Sequence, residues 1–120
     1  MNLLIKSLII LIALEHLYFL WLEMFVWTTR ARKVFTMLPQ DLFEPTKAMA
    51  ANQGLYNGFL AAGLIWSTLI RDTDWSVHVA TFFLLCVIVA GLFGWYSADK
   101  RIFFVQGIPG LIVLGLLHLI

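Results

Sequence analysis

The chain has 120 residues, 62% of them hydrophobic and only 12% charged, with 8 Lys and Arg against 7 Asp and Glu. Soluble domains carry about a quarter charged residues, so this composition excludes a soluble globular domain, a disordered chain and a nucleic-acid binder. A mean hydropathy of +0.91 and a single cysteine, Cys86, point to an integral membrane protein with no internal disulfide.

A membrane-spanning helix needs roughly 20 mostly apolar residues. Residues 3–27 qualify, interrupted by Lys6, Glu15, His16 and Glu23. An acid and an imidazole inside the apolar run, with no small-residue cleavage pattern after it, predict a permanent helix rather than a signal peptide. An Asp at a helix centre costs roughly 2.5–3.5 kcal/mol, so ionisable side chains here are expected to face the bundle or a watery cavity. Glu15 and His16 fall near the midplane, beyond the reach of snorkelling. Glu23, seven residues after His16, returns to within about 20° of the same face. Ala13, His16, Leu20, Glu23 and Trp27 then make one inward stripe, with Glu15 about 100° round from His16.

The loop 28–47 is the only long one and carries Arg30, Arg32, Lys33 and Lys47. Its middle, Met37 to Phe43, mixes apolar and polar residues and is expected to lie in the membrane interface. Pro45 and Thr46 precede the second segment, with Thr46 as its expected N-cap. That segment, residues 48–70, has no charge but holds Asn52, Gln53, Tyr56 and Asn57 in its first third. Ala50, Gly54, Gly58 and Ala62 recur every four residues, a small-residue face for close helix packing.

The third segment, residues 77–96, carries His78 as its only ionisable group apart from Cys86 and Tyr96, and repeats the small-residue spacing at Ala90, Gly94 and Ala98. The fourth, residues 102–120, contains Gln106, Gly107, Pro109, Gly110, Gly115 and His118. Pro109 removes a helix donor and is expected to bend it. These readings predict an all-α fold, a four-helix antiparallel bundle in the membrane, with one domain over residues 1–120.

Basic residues of short loops set orientation. The loops 28–47 and 97–101 hold Arg30, Arg32, Lys33, Lys47, Lys100 and Arg101, against Lys6 and Arg71 on the other side. Both basic loops are therefore expected in the cytoplasm and both termini outside. Antiparallel order also brings Glu23, Gln53, Asn57 and Gln106, from three helices, to one depth. Glu23 is the expected hub, because amides donate to a carboxylate as well as accept from one another.

The stretch Asn52-Gln53-Gly54-Leu55-Tyr56-Asn57-Gly58-Phe59-Leu60-Ala61-Ala62-Gly63-Leu64 resembles the hallmark of a family of small bacterial membrane proteins known as domain of unknown function 1304. Glu15-His16, Glu23 to Trp27, and Gln106-Gly107-Ile108-Pro109-Gly110 are similar to further pieces of it, Gly110 standing where alanine is expected. The resemblance implies four helices in a bacterial cytoplasmic membrane and supplies no activity.

The residues themselves leave three readings. The favoured one is a binding or transport module, with Glu15, His16, Glu23, Asn52, Gln53, Tyr56, Asn57 and Gln106 as ligand-binding candidates for a small molecule or a proton. The second is an accessory membrane protein whose polar cluster only holds the bundle. The third, a membrane enzyme or haem protein, is the weakest, because no catalytic motif or metal-ligand spacing occurs. No cofactor or metal is expected, His78 and His118 being read as interfacial. The lipid bilayer is the expected partner, and a homo-oligomer fits the module reading; nucleic acid does not.

Overall fold

The computed structural model describes all residues from Met1 to Ile120. It is 81% helical, without strands. Helix α1 runs Leu3–Met24, α3 Lys47–Leu69 and α4 Thr73–Ser97. Between α1 and α3 lie the short helix α2, Ala31–Val34, and a 3₁₀ turn at Gln40–Leu42. After α4 come the single turn α5, Lys100–Ile102, a π-helical turn at Phe103–Gly107, and α6, Ile108–Leu119. The molecule measures 48 × 24 × 18 Å.

Three helical stretches are long and apolar enough to cross a membrane: Leu3–Met24, Thr73–Ser97 and the continuous run Lys100–Leu119. The fourth expected span corrects in one respect. Helix α3 has the length, 23 residues, but is not among the three by apolarity. Asn52, Gln53, Asn57 and four glycine or serine positions dilute it. A four-helix membrane bundle is thus not settled by length and composition.

Local chemistry moved most of the predicted boundaries. The Asn2 side chain accepts from the Ile5 amide and starts α1. That helix stops at Met24, three residues early, and Trp27 lies outside it. Asp72 accepts from the Trp75 amide and starts α4 four residues before the expected Val77. Thr46 occupies the position before α3 but does not cap it. Its hydroxyl donates to the Leu42 carbonyl at 2.7 Å and accepts from Trp27 Nε1 at 3.1 Å.

Those bonds fold the long loop onto itself. Phe43 is fully buried with Leu22 and Ala31, and its ring packs 4.9 Å from that of Trp27. Arg32 binds the carbonyls of Thr28 and Gln40 and lies over the Phe43 ring. The expected interfacial loop is therefore a small capped structure with its own core, and Met37 and Leu42 are its exposed apolar side chains in the stretch from Met37 to Phe43.

The main core joins Ile5, Ile9, Ile12 and Ala13 of α1 to Ala61 and Leu64 of α3, Ala80, Leu84 and Val87 of α4, and Val113 and Leu117 of α6. Helix α3 lies along α1 on one side and α4 on the other, and α6 packs mainly on α4. Glycines set the closest approaches. A Cβ at Gly54 would come within 2.6 Å of Met24 Cγ and 3.1 Å of Glu23 Cβ. Gly91, which the sequence spacing does not single out, faces Gly107 so closely that its Cβ would lie 2.7 Å from the Gly107 nitrogen. Ala62 is exposed, off the packing face expected of it, and a Cβ at Gly115 would meet nothing within 4 Å.

Candidate functional site

Pro109 shapes the site from a distance. Its ring nitrogen has no hydrogen to offer the Val105 carbonyl four residues back, and the ring crowds that carbonyl. The helix answers by widening: the Ile108 amide donates to the Phe103 carbonyl five residues back. Such π turns insert one residue into the helical repeat and re-aim the side chains beside it. Here the re-aimed side chain is Gln106.

Gln106 Nε2 lies 2.9 Å from His16 Nε2. On the other edge of the ring, His16 Nδ1 lies 2.8 Å from the Ile12 carbonyl. A carbonyl only accepts, so Nδ1 carries the proton. An amide nitrogen only donates, so Gln106 gives its proton to an unprotonated Nε2. Both ring nitrogens of a neutral imidazole are thereby satisfied. His16 is fully buried, with its ring edge-on to Phe19 at 5.6 Å.

Glu15, the next residue on α1, is in the opposite condition. Its Oε1 is buried and has no hydrogen-bond partner. The side chain lines a groove of about 270 Å³ with Leu8, Leu11, Ile12, Pro109, Ile112 and Val113, between α1 and α6.

Glu23 forms a separate pair. Asn57 Nδ2 donates to Glu23 Oε1 at 2.6 Å, tying α1 to α3. The expected hub has this one amide. Gln106 is engaged by His16, because the π turn carries it toward the midplane rather than toward Glu23. Asn52, Gln53 and Tyr56 point away from the bundle and are exposed. Gln53 and Asn57 are four residues apart on α3 but differ in burial: Asn57 is buried with its amide on Glu23 of α1, whereas Gln53 is exposed. Neither the α1–α6 groove nor a shallow apolar groove along α4, from Phe82 to Phe93, touches Glu23 or Asn57. The eight sequence candidates thus divide into a Glu15–His16–Gln106 group, a Glu23–Asn57 pair and three outward-facing residues.

His78 and His118 are both exposed, and His118 Nε2 lies 2.9 Å from Thr81 Oγ1. The sequence carries no signal for the groove wall of Leu8, Leu11, Ile112 and Val113. Nothing distinguishes these residues from other leucines and branched residues in the sequence until α1 and α6 are placed side by side.

A family model described as "Protein of unknown function (DUF1304)" matches residues 10–118. The chain belongs to that family. The matched region contains Glu15, His16, Glu23, Asn57 and Gln106, so both polar groups lie within the family's own segment. The chain is similar to uncharacterized protein YpaA of Lactococcus lactis subsp. lactis (strain IL1403), at 30% identity. That alignment covers 98% of this chain and 97% of the relative. No solved structure matches the chain.

Proposed function

We propose that this DUF1304 protein is a four-helix integral membrane protein of the bacterial cytoplasmic membrane that binds a small molecule or ion at Glu15, His16 and Gln106. The three apolar helices support a membrane setting. Helix α3 lies between two of them and, at 1.5 Å per residue, reaches about 34 Å, enough to cross beside them. Its exposed Asn52 and Gln53 fall about two turns or less from Lys47, near headgroup depth, where water satisfies their amides. The surrounding lipid is the partner that exposed side chains such as Leu11, Phe59, Phe82 and Ile112 require. The four helices then form a single membrane domain, with loops 28–47 and 97–101 in the cytoplasm and both termini outside.

One observation carries the binding reading: a buried carboxyl oxygen without a partner stands beside a histidine whose every hydrogen bond is made. Packing alone favours pairing buried polar atoms, and an ionisable group left open inside a membrane is a candidate for function. The Glu23–Asn57 pair suits the accessory reading instead. It ties two helices through one amide–carboxyl hydrogen bond and adjoins neither groove, so we assign it to holding α1 against α3.

The test is thermal unfolding of the protein in lipid nanodiscs against a panel of small organic cations, carboxylates and neutral compounds. At least one class should raise the midpoint in the wild type and fail to do so in Glu15→Gln. A panel in which no class discriminates between the two proteins refutes the binding reading.

A further inference from the structure

We propose that the groove between α1 and α6 is a binding site for a small organic ammonium ion with an apolar body, reached sideways from the bilayer. This rests on the binding reading above and names its ligand class.

The lining has one acid and no base. Leu8, Leu11, Ile12, Pro109, Ile112 and Val113 provide an apolar wall, and Glu15 provides the one carboxyl. No cation of the chain can answer it. Lys6 is nine residues earlier, about 13 Å along the helix. His16 is neutral, with Nδ1 given to Ile12 and Nε2 occupied by Gln106. Helix α3 beyond Lys47, helix α4 after Asp74 and the stretch from Ile102 to Leu119 contain no Lys or Arg. An ionised Glu15 therefore has no counter-charge within the protein, and a ligand cation would supply one.

The shape sets the rest. A groove of about 270 Å³ lies just below the usual range for small-molecule pockets, which selects a short ligand. Leu11 and Ile112 are 60% and 57% exposed, so the rim opens toward lipid rather than toward either aqueous side. Helices α1 and α6 pack on each other less than either packs on its other neighbour, so this is the side of the bundle that can widen. An ammonium head reaches the carboxyl while its hydrocarbon body replaces the acyl chains that would otherwise lie against the six apolar residues. Rotation about the terminal Glu15 torsion, which is broad and nearly two-fold, presents either oxygen to it.

The experiment is equilibrium binding of radiolabelled phenethylammonium to the full chain in phosphatidylcholine nanodiscs, whose zwitterionic lipid does not itself collect cations. Saturable binding at one site per chain is expected. Glu15→Gln should weaken it at least tenfold, and Ile112→Trp, which fills the exposed rim, should do the same. Helix content and unfolding midpoint, measured on each variant, establish that both remain folded. Phenethyl alcohol, the neutral analogue, should compete at least tenfold more weakly than unlabelled ammonium. Equal competition by the alcohol, or equal binding to Glu15→Gln, overturns the proposal in favour of an acyl-chain groove. Absence of saturable binding also overturns it. If the nanodisc panel still finds another class that depends on Glu15, the ligand class is wrong and the binding reading stands. If the panel is empty, both fall.

Discussion

Gln106 donates to His16 across 90 residues of sequence, and it does so because Pro109, three residues further on, forces a π turn. The contact joins the first and last long helices at the depth of Glu15. It fixes which ring nitrogen of His16 holds the proton. Nitrogen NMR on histidine-labelled protein should find His16 protonated at Nδ1 and bare at Nε2. Finding the proton on Nε2, or on both nitrogens, at neutral pH would contradict the assignment.

Removing the donor should leave a buried acceptor unmatched. Gln106→Ala is expected to cost roughly 1–3 kcal/mol, the penalty of an unsatisfied buried polar atom. Gln106→Glu should be no better than alanine when ionised, since a carboxylate offers no proton to Nε2. Unfolding in mild detergent measures both. A loss within error of zero for Gln106→Ala would mean that water reaches His16.

The Glu23–Asn57 bond makes a pairwise claim. Interhelical hydrogen bonds in membrane proteins average about 0.6 kcal/mol and reach about 1.7. A double-mutant cycle with Glu23→Ala and Asn57→Ala should show coupling in that range. The same cycle with Gln53→Ala in place of Asn57→Ala should be additive, because Gln53 is exposed and makes no hydrogen bond to Glu23. Coupling to Gln53 equal to that of Asn57 would return Gln53 to the Glu23 cluster that the sequence suggested.

Two glycines separate packing from propensity. At Gly91 an added methyl would meet the Gly107 nitrogen at 2.7 Å and its Cα at 2.9 Å, and backbone cannot rotate away. Gly91→Ala should destabilise by about 1–3 kcal/mol, as overpacking does. Gly115 has open space around it, so Gly115→Ala should be neutral or stabilise by up to about 1 kcal/mol. Unfolding midpoints that rank the two variants the other way would refute the close α4–π-turn approach.

The loop at Asp99 responds to pH. The Arg101 amide and side chain hold the Asp99 carboxyl below its usual range. Its depressed folded value means that the contribution is present above the unfolded value and lost as pH falls through the folded one. A carbon NMR titration should place the Asp99 midpoint below that of an isolated aspartate and move it upward in Arg101→Gln. An unshifted midpoint in the wild type would remove the cap.

Orientation is tested with Thr36→Cys and Thr73→Cys, each in a Cys86→Ala background. Both positions are exposed and lie at opposite ends of α3. An impermeant thiol reagent added to intact cells should label position 73 and spare position 36 until the membrane is opened. Labelling of position 36 from outside reverses the proposed topology.

The sequence by itself determined the all-helical class, because long apolar runs in a chain poor in charge leave the backbone few other ways to satisfy its hydrogen bonds. It also located Glu15, His16, Glu23, Asn57 and Gln106 as polar intruders, since each interrupts an apolar run and its cost is local. Antiparallel order at matched depth put Asn57 within reach of Glu23, and the two are bonded. What periodicity could not supply was the extra residue of the π turn. A repeat of 3.6 assumes an unbroken helix, and the turn before Pro109 breaks that assumption where Gln106 sits. Only the tertiary structure therefore gave Gln106 to His16 and left Glu15 unpartnered. The groove, too, was decided by packing: its leucines and its proline become a wall only when α6 settles on α4 and leaves its edge with α1 partly open.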